Sequence, residues 1–383
     1  MVVRLVVFFA WLVLLGCGDD AGPDPALPDG GSQHTPPEEA FEIEEVGRFE
    51  RGWAMRFLPD GRILVTEKSG GLKLYNLSSR ASIVISGLPP VVDAGQGGLG
   101  DVAPHPDFES NGLIYLSYVE AGSGGTGAVV IRGRLELSSG SGSLTDIERI
   151  WEQRPKVSGD GHFSHRLVFD SERRLYISSG DRQRFEPAQE RNGNLGKIIR
   201  LNDDGSIPSD NPFYEEGGIA REFWTLGHRN PLGLAFDARG RLLSSEMGPR
   251  GGDELNLILR GENYGWPRVS EGDHYDGRSI PAHSTAPEFR APMVSWNPAI
   301  SPSSLEIYSG MLREEYRGNA FLGGLSSQAL IRVIISGDEA KEVERYPMGT
   351  RIREVREGPD GALYLLEDGG TGRLLRLRPR PRS

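Results

Sequence analysis

One cysteine in 383 residues, Cys17, rules out any disulfide within the chain. Lysine and arginine number 43 against 54 acidic residues, giving a formal net charge of −11, and no stretch concentrates them. Such a surface repels phosphate backbones and argues against a nucleic-acid partner. The apolar run from Leu5 to Leu15 is too short to cross a bilayer comfortably. No long segment sustains helical periodicity either, which argues against a helical bundle.

What the chain does have is 52 glycines and 26 prolines spread along its length, the composition of many short strands joined by turns. Residues 1–17 read as a targeting segment: Arg4, then the apolar run, then small residues. Its end, Leu14-Leu15-Gly16-Cys17, resembles a bacterial lipobox, so Cys17 is expected to carry lipid; an ordinary secretory signal is the alternative. From Gly18 to Ala40 the chain is rich in Pro, Gly and Asp with few apolar residues, and is expected to be a disordered tether. The folded domain is expected over 41–383, in a periplasmic or outer-membrane lipoprotein.

Within that domain one unit recurs: an apolar residue, a Pro or Asp, a Gly-containing turn, then a short β-type run ending in small or acidic residues. Its copies are FLPDGRILVTE from Phe57, HPDFESNGLIYLSYV from His105, FDSERRLYISSGD from Phe169, FDARGRLLSSEMG from Phe236, YRGNAFLGGL from Tyr316 and GPDGALYLLEDG from Gly358. A spacing of about 57 residues per copy suits a four-stranded propeller blade with its loops. The expectation is an all-β, six-bladed β-propeller; an array of β-sandwiches would not repeat one turn-strand signature throughout. In a propeller, loops from several repeats converge on the axis, so functional groups are sought at equivalent points of the repeats.

Candidate groups next to Gly-rich turns are His162 in GDGHFSHR, Asp181 in SSGDR, Arg229 and Asn230 in LGHRNPLG, Asp253 and Glu254 in GPRGGDE, and Arg351 and Arg353 in GTRIRE. At these residues, from about Phe41 onward, the chain resembles the soluble PQQ-dependent sugar dehydrogenases, in their bacterial aldose sugar dehydrogenase branch. The longest match is LGHRNPLGLAFDARGRLLSSEMGPRGGDELNLILRGENYGWP from Leu226 to Pro267. GQGGLGDVAPHPDF, NLGKIIRLNDDGSIPSDNPF and RIREVREGPDGALYLLED follow the same order.

The resemblance implies oxidation of an aldose at its anomeric carbon to an aldonolactone, with pyrroloquinoline quinone (PQQ) accepting hydride, calcium assisting, and a periplasmic acceptor taking the electrons. His162 would be the general base, suited by an ordinary pKa near 6.5, and Asp181 its orienting partner. Gln96, Arg229, Asn230, Tyr275, Gly324, Leu325, Ser326, Arg351 and Arg353 would contact PQQ. The cofactor carries three carboxylates, which arginine meets with two parallel hydrogen bonds. Gly248 and Pro249 would offer carbonyls to the calcium beside the quinone, and Glu254 with the backbone of Tyr264 would hold a second, structural calcium. The chain departs from the family pattern twice. Ser326 stands where many relatives have a lysine, and His165 where close relatives often have a small residue. The acidic loop Asn202–Gly205 lacks the spaced ligands of an EF-hand and reads as a hairpin turn.

A calcium-dependent propeller lactonase and a non-catalytic propeller binding a glycan or protein are the competing readings. Neither needs His162, Arg229-Asn230 and the Arg351/Arg353 pair together. The lipobox carries its own test: Cys17→Ala should move the protein from the membrane to the soluble fraction on cell fractionation, and a variant that stays with the membrane would refute lipidation.

Overall fold

The computed structural model describes residues 24–381, so Cys17, the apolar run and the start of the expected tether lie outside the described residues. Six short strands organise what is described: β1 (Gly52–Phe57), β2 (Leu99–Pro104), β3 (Ser164–Phe169), β4 (Pro231–Phe236), β5 (Pro302–Ile307) and β6 (Ile352–Glu357). Each opens an antiparallel run of four strands. Around the axis β1 packs on β2, β2 on β3, β3 on β4, β4 on β5, β5 on β6, and β6 back on β1. The first strands therefore close a ring in an all-β architecture.

The recurring sequence unit is the hairpin between the first and second strand of each run. Phe57 ends β1 and Ile63–Glu67 is its second strand; Phe169 leads in the same way to Leu175–Ser179, and Phe236 to Leu242–Glu246. These second strands are buried at every residue, as is Leu363–Glu367. Neighbouring sheets cover both faces of them, so little polar alternation is required. The apolar core is accordingly a set of wedges between sheets. Leu64, Leu72, Leu116 and Ile131 fill one, Tyr115, Leu175, Ile177 and Ile199 the next, and Met55, Val65, Leu366 and Leu374 the one where last meets first.

Two of the runs draw on a distant part of the chain at their outer edge. The β1 and β2 runs merge into one eight-stranded sheet through parallel pairing of Gly142 with Ile85 and Ser143 with Ser86. The β6 run takes its outermost strand from the other end of the chain: Phe41–Glu50 lies antiparallel to Thr371–Pro379. The expected disordered tether is corrected in its later part. Ser32 donates to Glu342 at 2.7 Å, Gln33–His34 pairs with Glu344 and Arg345, and a helical turn at Pro37–Ala40 leads into the closing strand. An open strand edge at 344–345 supplies the backbone partners that composition alone did not reveal.

At the axis the ring is held by charge. Arg166 on β3 meets Glu354 of β6 at 2.6 Å and donates to the carbonyls of Leu232 on β4 and Ser303 on β5 at 2.7 and 2.6 Å. Arg56 on β1 bridges Glu354 at 2.7 Å and Asp101 of β2 at 3.0 Å. Arg356 on β6 binds Glu354 and, at 2.9 Å, Glu306 of β5. Three cations and three carboxylates thus meet with Arg166, Asp101 and Glu354 almost wholly buried. Burying charge is costly, and removing one partner leaves the others uncompensated. Arg166→Met should therefore lower stability by about 3–5 kcal/mol in denaturant unfolding. Arg62→Met, whose partner Asp60 faces solvent, should change it by less than about 1 kcal/mol. Equal small effects would mean the axial network is not what holds the ring.

Candidate functional site

At one end of the ring, where β1, β3, β5 and β6 begin, lies a cavity of about 550 Å³. Its wall includes Trp53 and His165, Gln96, Leu325, and the arginines 351 and 353. The backbone strains to build it: His162, Ser164 and His165 all have positive φ, at 51°, 61° and 56°. Non-glycine residues rarely adopt that conformation, and it re-aims successive side chains where β3 starts. Gly100 makes room for the result, since a Cβ there would sit 1.9 Å from the His165 ring.

His162 and Asp181 are brought together as the sequence suggested. Nδ1 of His162 lies 2.7 Å from Oδ1 of Asp181, which also accepts the Gln183 N–H at 2.7 Å. The other oxygen, Oδ2, accepts the indole N–H of Trp266 at 2.8 Å, so the fully buried carboxylate is held from three sides. An acceptor at Nδ1 fixes the proton there and leaves the Nε2 lone pair free. Burial lowers the pKa of His162; the hydrogen bond it donates to Asp181 raises it and the charge of Arg229 lowers it, for a net shift below 6.5. The ring is a neutral base at neutral pH. His165 differs: stacked on Trp53 at 5.1 Å and bonded through Nδ1 to Ser117, it is pushed by burial, and then by Arg166, down to about 3.

Gln96 lines the cavity, but its Oε1 accepts the His162 N–H at 2.7 Å, so it also fixes the strained turn. Arg351 and Arg353, two apart on one face, share a single carboxylate, Asp368, at 2.6 and 2.7 Å. Burial would raise the Asp368 carboxyl, yet Arg353 and Arg351 hold it below the usual range. Arg229 lies beside the cavity against Trp266, donating to the Met247 carbonyl at 2.9 Å, to the Gly248 carbonyl, and to the Tyr275 hydroxyl at 3.3 Å. Asn230 is buried and accepts from Ser164 at 3.0 Å, while Tyr275 is 74% exposed at the rim. Leu325 reaches the wall; Gly324 and Ser326 do not line it, and Ser326 donates outward to Ala299.

The residues expected around calcium gather in an adjoining recess containing Gly248, Pro249, Glu246, Glu254 and Tyr264. Asp253 braces it, accepting from the N–H of Gly248 at 2.8 Å and of Ile300 and Ser301 at 2.7 and 2.6 Å. Burial, then the charge of Glu246, hold Glu254 well above the usual carboxylate range. Glu246 is already engaged, by Nδ1 of His228 at 2.9 Å and by the N–H groups of Arg229 and Asn230, while Glu254 accepts from Asn256 at 3.1 Å, so Glu254 is the carboxylate with an oxygen to offer a hard cation. Around the Gly248 and Pro249 carbonyls the oxygen donors are backbone, and Arg229 already draws on the first. Sequence reasoning missed Trp266, Trp53 and Asp368. Trp266 stands one residue before the end of the longest match and Asp368 one before the end of the last repeat, so both lay in view without a partner to give them a role.

The family described as Glucose / Sorbosone dehydrogenase matches residues 49–376. The chain is similar to an aldose sugar dehydrogenase of Escherichia coli K12, 38% identical over 340 residues that cover 87% of this chain and 91% of that one. It is 36% identical over 260 residues to quinoprotein glucose dehydrogenase B of Acinetobacter calcoaceticus, covering 61% of this chain and 53% of that one. The crystal structure of the soluble aldose sugar dehydrogenase of Escherichia coli in the apo-form matches with a TM-score of 0.85 at 38% identity, over 89% of this chain and 100% of that one.

The two histidines predict a pH signature. Each titrates lower in the folded than in the unfolded chain, so between those values the unfolded state binds more protons. Their stabilising contribution is complete above pH 6.5 and is lost as pH falls, for His165 down to about 3. His165→Asn should therefore flatten the fall in stability between pH 6.5 and 3 relative to wild type. In NMR titrations His162 should have a pKa below 6.5, and Asp181→Asn should move it lower still. A rise in that variant would contradict the hydrogen bond.

Proposed function

Starting from the chain's membership of the glucose/sorbosone dehydrogenase family, we propose that it oxidises aldose sugars at the anomeric carbon to aldonolactones, using PQQ with calcium. The observation that carries this is the His162–Asp181 pair beside a cavity lined by arginines. His162, neutral and with Nε2 free, takes the proton of the anomeric hydroxyl. Asp181 keeps the ring in that tautomer and offsets the charge it gains. Bound PQQ supplies the two-electron acceptor for the hydride leaving C1. Arg351 and Arg353 present a planar, cationic edge to its carboxylates; Arg229 and Asn230 close the adjoining side.

Calcium would be held near the quinone by the Gly248 and Pro249 carbonyls and at a second position by Glu254 and the Tyr264 carbonyl. A cation there relieves the repulsion between Glu246 and Glu254. The closed ring of six first strands supports six four-stranded blades. The N-terminal sequence supports export and a lipid on Cys17, with a periplasmic acceptor taking the electrons. A binding module would have no use for the proton-accepting pair, nor a lactonase for a cavity edged with arginines.

Purified without cofactor, the protein should be folded and inactive, and PQQ with calcium should restore sugar oxidation. In single turnovers at saturating PQQ and calcium, His162→Ala should reduce the quinone about 10² to 10⁴ times more slowly. Asp181→Asn should be less impaired, and Arg229→Ala should first weaken PQQ binding. Wild-type rates in His162→Ala would move the base elsewhere, while nicotinamide-dependent oxidation without PQQ would refute the assignment as a whole.

A further inference from the structure

We infer that Arg51 and Lys68 form a second carboxylate-binding pair of the cavity, facing the same anionic cofactor as Arg351 and Arg353. This rests on the PQQ reading above. Both residues line the cavity, and both come from the β1 run, which the family resemblance left without a role. The backbone delivers them together. Arg51 has φ of 48°, its N–H donates to Gly370 at 2.8 Å, and its carbonyl accepts the Lys68 N–H at 2.9 Å. Gly370 follows Asp368 in the loop that anchors the other two arginines, so the first and last runs meet at this wall.

The charge pattern repeats across that junction. Arg51 and Lys68 share Asp93, at 2.8 and 3.4 Å, as Arg351 and Arg353 share Asp368. Four cations against two carboxylates leave two positive charges uncompensated around one cavity. An exposed ion pair is ordinarily a balanced surface feature of small energetic weight. Two cations to each anion, twice over and turned toward a concave space, instead suit a ligand bearing several carboxylates. Burial, and the positive charges of Arg51 and Arg353, lower the pKa of Lys68 against the pull of Asp93. An anion in the cavity would remove that conflict. The loop at Ser326 brings no cation to the cavity: Leu325 reaches its wall, and the Ser326 hydroxyl is engaged with Ala299. The cationic lining comes from the two arginines and from Arg51 and Lys68.

The test is calorimetric titration of the full-length apo protein with PQQ in the presence of calcium, at low and at raised salt. Arg51→Met and Lys68→Met keep the aliphatic stems and should each weaken the Kd about 10- to 100-fold, with a shallower salt dependence. Lys68→Arg should stay near wild type, and Asp93→Asn, which frees both cations, should bind more tightly. Folded Met variants with an unchanged Kd overturn the inference and leave the PQQ reading standing. Equal losses in Lys68→Arg and Lys68→Met, or weaker binding by Asp93→Asn, also overturn it, because charge would not be the cause. A wild-type protein that binds no PQQ brings down both readings.

Discussion

Everything in this molecule is hung on a small electroneutral cluster at its axis. Arg56, Arg166 and Arg356 meet Asp101, Glu354 and Glu306, and Arg166 adds the carbonyls of Leu232 and Ser303. Each of the six first strands contributes at least one group. A buried charge tolerates little slack, because its desolvation is repaid only at good geometry. The cluster therefore sets how far each strand slides along the axis, which the apolar wedges, being non-directional, leave looser.

That fixed register is what makes the cavity possible. The residues lining it sit near cluster residues on the same strands: His165 next to Arg166, Arg353 next to Glu354, Trp53 three residues before Arg56. On each strand one residue locks into the cluster while a nearby one lines the cavity, and Trp53 joins the two by stacking on His165 and lying under Arg166. The strained turn from His162 to His165 is tolerable in this setting, being braced by Gln96, Ser117 and Asp181.

Much of this was legible in the sequence. The six copies of the turn-strand unit foretold the hairpins, because Gly, Asp and Pro mark turns through local sterics. Arg351 and Arg353 both reach the cavity and Asp368, although Arg351 stands just before the strand that carries Arg353. The His162–Asp181 contact came through resemblance and not through spacing, since residues so related are joined only by the fold. What stayed hidden were partners that only the folded loops bring together: Asp368 under the two arginines, Asp93 under Arg51 and Lys68, Trp266 behind Asp181. Residues 33–40, read as tether from their composition, found an open strand edge that composition cannot reveal. A charged residue within an otherwise apolar strand, such as Arg56 in GWAMRF, was the signal for the axial cluster. A charge inside a strand demands a partner even when the sequence does not name it.

The closing strand has a consequence for biosynthesis. Phe41–Glu50 emerges early, yet its partner is Thr371–Pro379. At about 5–20 residues per second, the wait between them lasts roughly 15 to 60 s. For that time its backbone edge is an unshielded template for other chains. The protein's most exposed moment is thus during its synthesis, before the last strand exists to cover the first.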